Sequence, residues 1–79
     1  MLPATIRFQL RQSDNVELLI YNLKGQLVRT LAKGHLEAGT HEMLWDGCDN
    51  LGQIVPSGNY IYSLKVNDFE QVQKMILIK

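Results

Sequence analysis

Apolar and polar residues alternate with a period of two along most of this chain, as expected of strands with one buried face. From Thr5 to Arg11, Ile6, Phe8 and Leu10 alternate with Arg7 and Gln9. From Asn15 to Asn22, Val16, Leu18 and Ile20 point one way while Glu17, Leu19 and Tyr21 point the other. Ser13-Asp14-Asn15 between them is a turn cluster, so these two strands are predicted to form a hairpin. Leu23-Lys24-Gly25-Gln26 turns the chain into a third strand, Leu27 to Ala32, with Arg29 outward. Lys33 to Gly39, bounded at its ends by two glycines, reads as a loop carrying His35. Thr40 to Trp45 alternates again, with His41, Met43 and Trp45 on one face.

Asn59 to Val66 places Tyr60, Tyr62, Leu64 and Val66 inward and Ile61, Ser63 and Lys65 outward. Asn67-Asp68 reads as a two-residue type I′ connection, because both residues tolerate positive φ. Phe69 to Ile78 then returns as a long strand whose last part, Met75-Ile76-Leu77-Ile78, is apolar at every position and predicts a buried central strand. No window has a helical period. Six or seven short strands at this spacing predict an all-β fold, a small antiparallel sandwich.

Composition narrows the classes. A chain of 79 residues makes one domain, 1–79, with no room for a second core. Net charge is zero and lysines and arginines are scattered singly, which argues against a nucleic-acid footprint. No stretch approaches the roughly 20 apolar residues of a membrane helix, so membrane insertion by a helix is not expected. One cysteine, Cys48, leaves no intrachain disulfide and no cysteine-based zinc site. The opening MLPATIRFQL lacks the basic and apolar regions of a signal peptide and leads almost directly into a strand, as expected of an excised domain with an added initiator Met or of a short natural product.

Candidate chemistry is concentrated in WDGCDNLGQIVPSGNY, residues 45–60. Asp46 and Asp49 suggest calcium, but Gly47 and Cys48 separate them and no glutamate follows before Glu70. The better reading gives both acids to backbone amides in Asx turns, with Gly47 and Gly52 at positive φ. A phosphate loop fails for want of the Gly-Lys-Ser/Thr that opens a helix. His41-Glu42 starts like a zinc-protease motif, yet the second histidine would fall at Trp45. Cys48 lacks a neighbouring base to activate it as a nucleophile. Phe8, Trp45, Tyr60 and Tyr62 lie on inward phases and read as core, leaving Tyr21 as the one candidate for an exposed aromatic platform. No metal, cofactor or catalytic residue is expected.

Taken together, several segments resemble one family. They are Pro3-Ala4-Thr5-Ile6-Arg7-Phe8, Val16-Glu17-Leu18, Gly25-Gln26-Leu27-Val28, Gly39-Thr40-His41, Trp45-Asp46-Gly47, Asp49, Gly52, Pro56-Ser57-Gly58-Asn59-Tyr60 and Lys74 to Lys79. The pattern is similar to the FlgD/Vpr-type immunoglobulin-like domain, which overlaps the C-terminal sorting domains of type IX secretion cargo. The resemblance implies a non-catalytic Ig-like module of a larger secreted or cell-surface bacterial protein. As a sorting and attachment domain its partner would be the outer-membrane secretion machinery, recognised through Lys74, Met75, Ile76, Leu77, Ile78 and Lys79. Trp45, Asp46, Gly47, Asp49, Gly52, Pro56, Gly58 and Tyr60 would be the structural motif. The alternative is a structural module of the flagellar hook-capping type, contacting its parent chain's neighbouring domains, or a spacer or carbohydrate-binding accessory domain of a secreted enzyme. The sorting strand is expected to bury Met75 to Ile78 and expose Lys74 and Lys79.

Overall fold

The computed structural model describes residues 4–78. They form six strands and no helix: β1 (Ala4–Leu10), β2 (Asp14–Asn22), β3 (Leu27–Leu36), β4 (Gly39–Trp45), β5 (Gly58–Val66) and β6 (Phe69–Leu77). β1 and β4 make a two-stranded antiparallel sheet, and the other four make an antiparallel sheet in the order β3-β2-β5-β6. The fold is the expected small Ig-like sandwich.

The core lies where the inward phases of the two sheets meet. Ile6, Phe8 and Leu10 of β1 pack against Val16, Leu18 and Leu64 in one cluster. Ile20, Trp45, Tyr60 and Leu77 form the other, and Tyr62 and Met75 border both. Burying each such side chain stabilises the fold by about 1.5–3 kcal/mol.

Four expectations about the strands are corrected. β1 and β2 are not a hairpin: Ser13 and its neighbours carry the chain from one sheet to the other, and β1 pairs with β4 instead. Two strands with one apolar face each bury those faces better opposed across a core than side by side. Lys33 to Leu36, with His35, continues β3 rather than forming a loop, since β2 pairs with β3 as far as Asp14↔Leu36. Only Asn67 has positive φ in the β5–β6 turn, at 55°, so the turn is not type I′, which needs positive φ at both residues.

The last strand is an edge, not a central strand. β6 pairs with β5 alone and alternates, with Leu77 1% exposed and Met75 half-buried, while Ile76 is 64% exposed. Ser63, on the outward phase of β5, is nonetheless 4% exposed. Its hydroxyl donates to Glu70 Oε2 at 2.9 Å, so the neighbouring strand's side chain roofs it.

Candidate functional site

The stretch after β4 folds as a wound turn held by its own side chains. Asp46 Oδ1 accepts the Cys48 amide at 3.0 Å. Asp49 Oδ1 accepts the amides of Leu51 and Gln53, each at 2.9 Å. The Asp49 amide in turn donates to Gln53 O, and Val55 N to Gly47 O, both at 2.9 Å. Gly47 and Gly52 sit at φ 81° and 82°, a region a side chain makes costly, and so reverse the chain twice. Both acids therefore act as the Asx turns that their spacing predicted.

Trp45 and Tyr60 tie the two ends of this turn to the core. The Trp45 indole N–H donates to Cys48 O at 2.9 Å, and the rings of Trp45 and Tyr60 meet edge-on with centroids 5.0 Å apart. The Tyr60 hydroxyl donates to Pro56 O, four residues upstream, in the manner of the tyrosine corner of Ig-like sandwiches. Burial raises the Tyr60 phenol above its ordinary pKa of 10.0, because the phenolate would lose its hydration.

Two residues that sequence reasoning passed over attach the turn to the four-stranded sheet. Asn50 behaves as a one-residue strand beside β3: its amide donates to Val28 O at 3.1 Å and its Oδ1 accepts Thr30 N at 2.9 Å. Arg29, expected to point outward, is half-buried. Its Nη1 lies 3.3 Å from Asp49 O, 3.5 Å from Cys48 O and 3.8 Å from Asp46 Oδ1. The guanidinium collects the carbonyls that the tight turn directs inward. No local signal marks either residue, because their partners lie about 20 positions away.

The other candidates separate. His41 stacks on Phe8 with centroids 5.5 Å apart, and its Nε2 lies 2.7 Å from Glu37 O. A carbonyl only accepts, so Nε2 carries the proton there. Cys48 is a half-buried free thiol. Tyr21 is half-buried, not an open platform. Among the described residues no three His, Cys, Asp or Glu side chains gather where they could hold an ion. Of the residues expected to serve partner recognition, Lys74, Ile76 and Ile78 are exposed, while Met75 is half-buried and Leu77 buried. Lys79 lies outside the described residues.

The arrangement is a braced corner, with its polar atoms committed to backbone rather than aimed at a ligand. Comparison with known proteins shows the family. The FlgD Ig-like domain family matches residues 3–69. The basal-body rod modification protein FlgD of Salmonella typhimurium is 44% identical over 58 residues, 73% of this chain and 25% of the relative. FlgD of Escherichia coli is 34% identical over 66 residues, 84% of this chain and 28% of the relative. The chain thus spans about a quarter of the length of these curated relatives. The crystal structure of FlgD from P. aeruginosa superposes with a TM-score of 0.73 at 27% identity, covering 94% of this chain and 58% of that one. The chain belongs to the FlgD Ig-like domain family.

Proposed function

We propose that the chain is a non-catalytic structural module of a larger FlgD-type protein, of the flagellar hook-capping type. Its task is to hold a rigid Ig-like body against its neighbours in an assembly. The observation that carries this reading is the match to FlgD from 3 to 69, with relatives of that name at 44% and 34% identity. The physical support is the committed corner at residues 45–60, which stiffens one end of the sandwich.

The sorting-domain reading stands second. It is favoured by one observation: β6 is an edge strand whose exposed Lys74, Ile76 and Ile78 are accessible to another protein. Its partner would be an outer-membrane secretion machinery and its location the cell surface.

One experiment separates the two. The Ig-like domain of Salmonella FlgD is replaced by this chain, and hook formation and swimming are scored. In parallel, the chain is fused to the C-terminus of a reporter in a host with type IX secretion. Hooks from the chimera together with a retained reporter support the structural module. A stably accumulating chimera that makes no hooks, with the reporter exported, overturns it in favour of sorting.

A further inference from the structure

The four-stranded sheet ends in two different edges. At β3 the turn after β4 closes the edge: Asn50 N donates to Val28 O at 3.1 Å, and Asn50 Oδ1 accepts Thr30 N at 2.9 Å. At β6 no strand or turn among the described residues bonds to the outer side. β1 also has an open edge, but it lies over the large sheet's own overhang, where Gln71 and Gln73 line the space beside it. The edge of β6 opens to solvent in the plane of its sheet. Its nine residues pair with β5 without a register shift, no proline interrupts them, and their one cation is Lys74.

Which groups this edge offers follows from the turn before it. Val66 and Phe69 flank a two-residue turn, and such a flanking pair exchanges hydrogen bonds. Phe69, Gln71, Gln73 and Met75 therefore bond to β5, while Glu70, Val72 and Lys74 direct their N–H and C=O groups outward. The side chains of these three share the outer face, and all are exposed. Lys74 has no ion-pair partner among the described residues. Glu70 commits one oxygen, Oε2, to the Ser63 hydroxyl at 2.9 Å and to Lys65 Nζ at 3.8 Å, which leaves Oε1 for another cation.

We propose that β6 pairs with β6 of a second copy of this chain, antiparallel, about a two-fold axis through Val72. The order acid, apolar, base at Glu70, Val72 and Lys74 is its own complement when reversed. Val72 then meets Val72 of the second copy, and on either side a Glu70 faces a Lys74, an opposed pair that attracts. The alternatives fit worse. Centring on Glu70 or Lys74 opposes like charges, and centring on Gln71 or Gln73 sets Glu70 against Val72 or Ile76. Nor does the pairing collide: Gln71 and Gln73, on the inward phase, are exposed, so the two-stranded sheet stops short of β6 there. An axis normal to the sheet keeps the two covering sheets on one side, with both β6 strands between them. A single ladder is a small interface, so a dissociation constant of about 0.1 mM is expected.

The test is sedimentation equilibrium of the chain from micromolar to millimolar concentration, with amide exchange read by NMR. Expected is a monomer–dimer equilibrium. At high concentration exchange should slow at Glu70, Val72 and Lys74 but not at Gln71 and Gln73, whose amides β5 already holds. Lys74→Glu, at an exposed position, sets two like-charged pairs in the interface and should weaken association at least tenfold with the fold unchanged. Glu70→Lys should do the same, and an equimolar mixture of the two variants should dimerise again, because each supplies the charge the other lost. Should Glu70→Lys not fold, Lys74→Glu and the alternating protection still decide. A chain that stays monomeric at millimolar concentration would overturn the proposal and leave Lys74 as a charge that guards the edge. Undiminished association of Lys74→Glu, or protection gained on β1 or β3 instead, would overturn it as well.

Discussion

Removing the Trp45 side chain tests the reading of the corner most directly. Trp45 is fully buried, with 0% of its surface exposed, in the cluster with Ile20, Tyr60 and Leu77. Truncation of a buried aromatic to alanine costs about 3–5 kcal/mol, and the lost edge-on pairing with Tyr60 is part of that figure. The hydrogen bond adds little, because Cys48 O keeps the Arg29 guanidinium at 3.5 Å and is not orphaned. A domain of 79 residues has roughly 4–12 kcal/mol to lose. With a urea dependence of about 1 kcal/mol per molar, Trp45→Ala should lower the unfolding midpoint by about 3–5 M or unfold the chain outright. Trp45→Phe keeps the ring edge and should cost roughly 1–2 kcal/mol, which keeps the series measurable if the alanine variant is unfolded. Trp45 is the only tryptophan, so unfolding has to be followed by circular dichroism rather than tryptophan fluorescence. An alanine variant within about 1 kcal/mol of wild type would mean that the indole does not brace the corner.

Three further outcomes are expected. Asn50→Ala should cost about 1 kcal/mol and speed exchange of the Thr30 amide several-fold, since that N–H loses its acceptor; unchanged protection would show that Asn50 does not cap the β3 edge. Leu77→Ala should cost about 2–5 kcal/mol and Ile76→Ser at most about 0.5 kcal/mol, read from urea midpoints, because the two residues face opposite sides of an edge strand; equal losses would restore the central-strand picture. Tyr60 has a folded pKa raised above 10.0, so its contribution is fully present below pH 10 and is lost as pH rises through the folded value. Wild type should therefore lose more stability than Tyr60→Phe between pH 9 and 11, and parallel curves would argue against a buried phenol.

The sequence by itself determined the local content. Period-two alternation sets which residues of a strand share a face, so Ile6, Phe8 and Leu10, or Tyr60 and Leu64, were legible as core before any partner was known. The Asx turns of Asp46 and Asp49 were legible for the same reason, because each bond spans only two to four residues. What only the tertiary structure decided is which faces and edges meet. Alternation says nothing of whether β1 lies beside β2 or across the core from it, and the burial of both apolar faces chose the latter. A run such as Met75-Ile76-Leu77-Ile78 does not reveal how many neighbours it has; β6 has one, so half of that run faces solvent. Arg29 and Asn50 acquire their roles from carbonyls and amides about 20 residues away, which no local pattern encodes. The open edge of β1 is likewise a property of sheet order alone: pairing is a relation between strands, and the same seven residues would be closed had one more strand been laid beside them.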